Sequence, residues 1–140
     1  MRAARSVLTL GRPAPVLLAA LAAGAACAAP AGSDTALRVA ADFTAATADG
    51  DAERVCALLA PATARQLAQQ AASCPEAAGA LSLPAPAEPL PAAQVWGRSA
   101  LVAAPGTSVF LVRVDDRWLV SAAGCTLRPQ APADCALQGG

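Results

Sequence analysis

The chain lacks histidine, lysine, tyrosine, asparagine and isoleucine, and it has only two tryptophans and two phenylalanines. Without histidine it has neither the commonest acid/base of neutral-pH catalysis nor the commonest metal ligand. These absences argue against Ser/His or Cys/His nucleophilic catalysis and against a metal site. The ten basic residues are all arginine, which reflects an alanine- and arginine-biased composition more than a physical requirement.

Charge is also scarce, and it has no strong sign. From residue 27 onward seven arginines stand against ten acidic residues, a net charge of −3. Such a chain has no basic patch for nucleic acid phosphates, so we expect no nucleic acid partner. A length of 140 residues leaves room for one domain and a leader.

Residues 1–26 have the pattern of a signal peptide. Arg2, Arg5 and Arg12 give a positive start, and residues 14–26 form an apolar run. That run is shorter than the roughly 20 residues of a transmembrane helix. We therefore expect an exported protein and leave this segment out of the fold analysis.

The leader ends at a cysteine. Gly24-Ala25-Ala26-Cys27 resembles a bacterial lipobox, in which small residues precede a cysteine that is lipidated and becomes the mature N-terminus. Because Gly24 stands where that pattern prefers an aliphatic residue, ordinary signal-peptidase cleavage after Ala25 or Ala28 is the alternative. We expect lipidation at Cys27 and hence a membrane anchor, with residues 27–35 as a tether.

Four further cysteines form an even set, which in an exported chain predicts two disulfides with three possible connectivities. Pairing between sequence neighbours closes the smallest loops, so we predict Cys56–Cys74 and Cys125–Cys135. A zinc site is disfavoured because no pair has the close spacing of a zinc knuckle. We expect no metal and no cofactor.

The first half of the domain has helical periodicity. Gly50 ends the first helix, and Asp51 is a candidate N-cap for the second. Four prolines in residues 84–91 then predict an extended connector. The predicted helices are 35–49, 52–60, 62–72 and 75–81.

The second half is rich in valine and leucine and predicts strands. Residues 93–104 are interpreted as one strand, and a short edge strand is expected at residues 135–138. Helices followed by an antiparallel meander of three to four strands give an α+β, two-layer domain over residues 36–140.

Residues 108–125 contain a hairpin whose register depends on its loop. A two-residue loop, Asp115-Asp116, pairs Val114 with Arg117 and so mixes apolar and charged groups on one face. We expect instead a three-residue loop that includes Arg117. One face then holds Phe110, Val112, Val114, Trp118, Val120 and Ala122.

The Gly50-Asp51 pair, the ERVCALLAP segment, and WLVSAAGC followed by a further cysteine resemble small actinobacterial envelope lipoproteins with a nuclear-transport-factor-like, cystatin-like fold. The resemblance covers residues 35–135. It implies a sheet curled around a long helix, with a conical pocket between them. Some such proteins are isomerases or hydrolases and many have no catalytic function, so the fold alone does not supply the function.

Four residues are candidates for such a pocket: Asp42, Trp96, Phe110 and Trp118. Asp42 would be its acid, although a solvated ion pair with Arg38 four residues earlier is the favoured interpretation. The three aromatic residues would line it, although core packing is the favoured interpretation. Arg98 and Arg113 lie on strands, at a pocket mouth or in solvent.

These observations predict a non-catalytic, lipid-anchored envelope module that binds an unknown envelope protein. The expected contact surface is the second hairpin face, where Val109, Leu111 and Leu119 would stay exposed without a partner. A carrier of small apolar ligands is the second hypothesis. An isomerase-like enzyme that depends on Asp42 is the third.

Overall fold

The computed structural model describes residues 31–86 and 89–139. Four helices come first: α1 (Ser33–Asp49), α2 (Ala52–Leu58), α3 (Pro61–Ala68) and α4 (Cys74–Gly79). Five strands follow: β1 (Gln94–Trp96), β2 (Ser99–Val102), β3 (Ser108–Val114), β4 (Arg117–Arg128) and β5 (Ala131–Gln138). The predicted signal peptide, 1–26, and Cys27 lie outside the described residues.

The helices agree with the predicted order and differ at their ends. α1 begins at Ser33, so the end of the predicted tether, 27–35, is helical. Gly50 adopts a left-handed conformation and ends α1, and the Asp51 side chain accepts a hydrogen bond from the backbone N–H of Arg54, which confirms the predicted N-cap of α2. α3 ends at Ala68, four residues earlier than predicted.

The sheet has five antiparallel strands in sequence order, so the α+β arrangement is confirmed and the predicted count of three to four strands is too low. The missed strand comes from residues 93–104, which form β1 and β2 joined by a tight turn. Gly97 has a φ of 60° in that turn, a conformation that glycine adopts without steric cost. The predicted edge strand at 135–138 is the end of the longer β5.

The predicted three-residue loop between β3 and β4 is wrong. Val114 pairs with Arg117, and the loop holds only Asp115 and Asp116, both with positive φ. Aspartate tolerates this left-handed conformation better than most residues do, so two residues suffice for the primed turn that suits a hairpin. Arg117 carries no burial cost in this register because it is exposed.

The corrected register exchanges the two faces of β3. One face packs against the helices and carries Val109 and Leu111. Leu111 pairs with Val120 of β4, and Trp118 lies on the same face as Val120. Helix side chains complete this main core, including Phe43 of α1. The core also includes Ala36, Ala40, Val55, Leu67, Ala77, Ala100, Val102, Ala123 and Leu137.

Both predicted disulfides are confirmed. Cys56–Cys74 joins α2 to the start of α4, and Cys125–Cys135 joins β4 to β5. Each bridge closes a short loop, and the first ties together two helices too short to be stable alone.

The connection between α2 and α3 closes one edge of the sheet. Where β5 ends, the Ala60 N–H donates to the Val120 carbonyl across 2.8 Å. The Ser121 carbonyl accepts from both the Thr63 hydroxyl and the Gly139 N–H. Val120 and Ser121 of β4 therefore have hydrogen-bond partners on the side away from β3.

Candidate binding surface

The four residues predicted for a pocket do not line one cavity. Asp42 is on the exposed side of α1, where its carboxylate accepts a hydrogen bond from Arg54 across 3.1 Å. The predicted partner, Arg38, bonds to Thr35 instead. Asp42 thus has the position of a solvated ion pair, which is worth little to stability.

The aromatic candidates lie on two sides of the sheet. Trp118 belongs to the main core and is 5% exposed, with the backbone of Gly32 lying against its ring. Trp96 is 50% exposed, and its register row places it on the face away from the helices. Phe110 is on that same face, one row further along.

The space between α1 and the sheet is small. A cavity of about 30 Å³ lies there against Phe43, Leu83 and Val109, which is room for about one water molecule. Known ligand pockets have roughly 300–1,000 Å³. A larger open groove of about 490 Å³ lies along Pro86, Pro89 and Pro91, beside the loop that joins β2 and β3.

The hairpin face predicted to be exposed is buried, and the prediction that it forms the contact surface is wrong. Val109 is 2% exposed, Leu111 1% and Leu119 9%. Val109 and Leu111 face the helices because the loop is one residue shorter than expected. Leu119 faces the other way, on the side of the sheet opposite the helices.

An apolar surface does exist, on the opposite side of the sheet. Register rows run from Ser99 through Val112 to Leu119, and from Leu101 through Phe110 to Ala122. None of these side chains packs against the main core. We call this surface the outer sheet face, and it consists of Trp96, Leu101, Phe110, Val112, Val114, Leu119 and Ala122.

The helices in the described ranges all pack on the other side, so none of them covers the outer sheet face. Most of its side chains remain partly exposed. Arg117 follows the turn at one end of this face. An apolar patch of several side chains at the centre of a sheet is the kind of surface that proteins use for contact.

The outer sheet face could have been found from the sequence if the loop length had been right. β3 alternates apolar residues on both faces, so the pattern in residues 109–114 does not say which set is inward. Only the pairing at the turn decides which set of residues faces inward. Two aspartates indicate a two-residue hairpin loop less strongly than Asn-Gly does.

In residues 31–86 and 89–139, no three cysteine, aspartate or glutamate side chains converge where they could hold a metal ion. Within the same ranges, no helix is long and apolar enough to cross a membrane. Neither the protein-family models, nor the curated proteins, nor the solved structures contain a match to this chain.

Proposed function

We propose that the protein is an exported, lipid-anchored, non-catalytic module of the cell envelope that binds a protein partner on its outer sheet face. The observation that carries the proposal is the partly exposed apolar surface around Phe110 and Val112, against which no helix of residues 31–86 packs. A monomeric domain gains nothing from apolar side chains on the solvent side of its sheet, where polar residues usually alternate with inward apolar ones. When a partner covers these side chains, their burial contributes free energy to binding.

Export is supported by the two disulfides, which are typical of oxidising compartments. Anchoring at Cys27 and the likeness to cystatin-like envelope lipoproteins belong to the same proposal. They are supported by the sequence patterns described above.

The binding proposal can be tested by photo-crosslinking in the native envelope. A photoreactive side chain at Val112 should crosslink to one partner protein. The matched control is the same side chain at Leu127, an exposed leucine on β4 outside the outer sheet face. Equal crosslinking from both positions, or none from Val112, would refute the proposal, and a crosslink to a second copy of the chain would make the partner the protein itself.

The anchor needs its own measurement, which is the intact mass of the protein taken from its envelope without reduction. The expected mass is that of a lipid-carrying chain that begins at Cys27. Because two disulfides are formed, it is four hydrogens below the mass of the reduced chain. The mass of a chain that begins after Ala25 or Ala28 and carries no lipid would mean that the protein is secreted and not anchored.

The apolar-ligand carrier has one supporting feature, the groove along Pro86, Pro89 and Pro91. It is the second candidate, because the groove is open and the cavity beneath α1 is too small for a ligand. An isomerase that depends on Asp42 has no geometric support, since that carboxylate is exposed and held by Arg54.

A further inference from the structure

The hairpin that joins β4 to β5 has an unfavourable turn. Arg128 pairs with Ala131, so the loop contains only Pro129 and Gln130. Proline fixes its φ at about −65°, and Gln130 has a φ of 59°, which together are the pattern of a type II turn. Type II turns splay the strands of a hairpin, and glutamine is strained in a left-handed conformation. This loop therefore holds its two strands together less well than a primed two-residue turn would.

Side-chain packing does little to hold the first part of β5. None of residues 131–136 belongs to the main core or packs against it, and Leu137 is the first β5 side chain that does. The ion pair between Arg128 and Asp134 is exposed and contributes little. The pairing with β4 is also irregular between Thr126 and Arg128. Since β5 is the last strand in the sheet order, β4 is the one described strand that pairs with it.

The two disulfides differ in what supports them. Cys56 and Cys74 pack against the main core, to which their helices contribute further side chains, whereas Cys125 and Cys135 are not part of it. After reduction, helix packing would keep the first two thiols close together, but the other two would separate as soon as β5 left β4. Thiols that stay close together re-form their disulfide at a high effective concentration. Cys125–Cys135 should therefore be the more easily reduced bridge.

We propose that Cys125–Cys135 is a redox latch on β5. In the oxidised protein the bridge joins register partners and holds residues 129–136 on β4. Reduction to two thiols lets this segment leave, which uncovers the backbone edge of β4 over residues 125–128. An uncovered edge is free to pair with another strand. The latch goes beyond the proposed function and does not depend on the anchor at Cys27.

The opening reaction is thiol–disulfide exchange, and its co-reactant is an exported dithiol oxidoreductase. Cys135 is partly exposed and Cys125 is 0% exposed, so a thiolate of the reductant attacks the Cys135 sulfur. The protein S–S bond breaks, and its electron pair goes to the Cys125 sulfur, which takes up a proton. The second thiolate of the reductant then attacks the mixed disulfide and releases Cys135 as a thiol. The protein disulfide gains two electrons and two protons, and the dithiol is oxidised to a disulfide.

The first experiment measures which bridge is reduced first. The mature chain carries Cys27→Ser, which removes the one cysteine outside the two bridges. It is equilibrated with increasing dithiothreitol, free thiols are alkylated, and the labelled cysteines are located by peptide mass. We expect Cys125 and Cys135 to be labelled at a dithiothreitol concentration about tenfold lower than Cys56 and Cys74. Reduction of Cys56–Cys74 first, or of both bridges together, would overturn the inference.

Hydrogen exchange then tests whether β5 leaves. Cys125→Ser with Cys135→Ser should speed exchange of the amides of residues 130–136 about 100-fold, the factor for a bridge that closes a loop of about ten residues. Exchange in β3 should stay slow, which shows that the rest of the sheet is folded. The matched control, Cys56→Ser with Cys74→Ser, should leave exchange of residues 130–136 unchanged. Protection of this segment in the first variant, or equal acceleration in both, would contradict the latch.

A third variant tests the turn itself. Adding Gln130→Gly to the chain without Cys125–Cys135 should slow exchange of residues 130–136 by about tenfold, because glycine removes the strain of a positive φ. No slowing would mean that the turn does not open the strand, and the mechanism of the latch would be wrong. If the serine variant fails to fold, the same exchange measurement is made on the chain with natural bridges, at the dithiothreitol concentration that reduces Cys125–Cys135 alone.

Discussion

Val109 and Val112 lie on the same strand, three residues apart, and the corrected hairpin register places them on opposite faces. Val109 is 2% exposed in the main core, whereas Val112 is on the outer sheet face. Replacing either by alanine removes the same two methyl groups and lowers strand propensity equally. The difference between the two variants therefore measures burial alone.

The expected losses follow from that burial. At Val109 the lost transfer free energy is about 1.6 kcal/mol. The cavity left in the core adds about 1 kcal/mol, at about 24 cal/mol per Å³ and about 40 Å³. We expect the free energy of unfolding to fall by about 2.5 kcal/mol for Val109→Ala, and by less than about 1 kcal/mol for Val112→Ala, which leaves no closed cavity.

Urea unfolding of the oxidised mature chain measures both losses, provided that the dependence on urea concentration is the same in each variant. Measurement at two protein concentrations reveals any self-association through the outer sheet face. A larger loss at Val112 than at Val109 would mean that the three-residue loop is correct. The surface on which the binding proposal depends would then be part of the core.

Two further predictions concern the turn and a disulfide. Asp116→Gly should raise the free energy of unfolding by about 0.5–1 kcal/mol in urea titration, because glycine removes the strain of a positive φ and the exposed ion pair with Arg113 contributes little. No gain, or a loss, would argue against the two-residue loop. Cys56→Ser combined with Cys74→Ser should cost about 3 kcal/mol and lower the melting temperature in calorimetry by more than 10 °C, at about 4–8 °C per kcal/mol. An unchanged melting temperature would mean that the bridge does not stabilise the helical half.

Local signals were sufficient for the helical half of the fold. Gly50 and Asp51 mark a helix end and a cap through the chemistry of two adjacent residues, and both were found from the sequence. The disulfide partners were found in the same way, because short loops favour neighbouring cysteines. These features need no knowledge of what lies across the domain.

The sheet was harder because its faces depend on pairing. Gly97 occurs in a run that alternates plausibly as one strand, and its turn is evident only once β1 folds back onto β2. The loop at Asp115 is one residue shorter than predicted, and this difference exchanges the predicted inner and outer faces of β3. The predicted contact surface was wrong for the same reason, since it depended on the assignment of those faces.

The contact between the α2–α3 connection and β4 bears on aggregation. Residues 118–120 are apolar and strand-forming, the type of segment that adds to other sheets when its backbone is free. The Ala60 N–H bonds to the Val120 carbonyl and the Thr63 hydroxyl bonds to the Ser121 carbonyl, so a foreign strand could not pair with these two carbonyls. Ala60 and Thr63 reach these carbonyls only after the helices have docked. The unfolded chain is therefore vulnerable at this segment during folding, and the folded domain is protected there by its own helices.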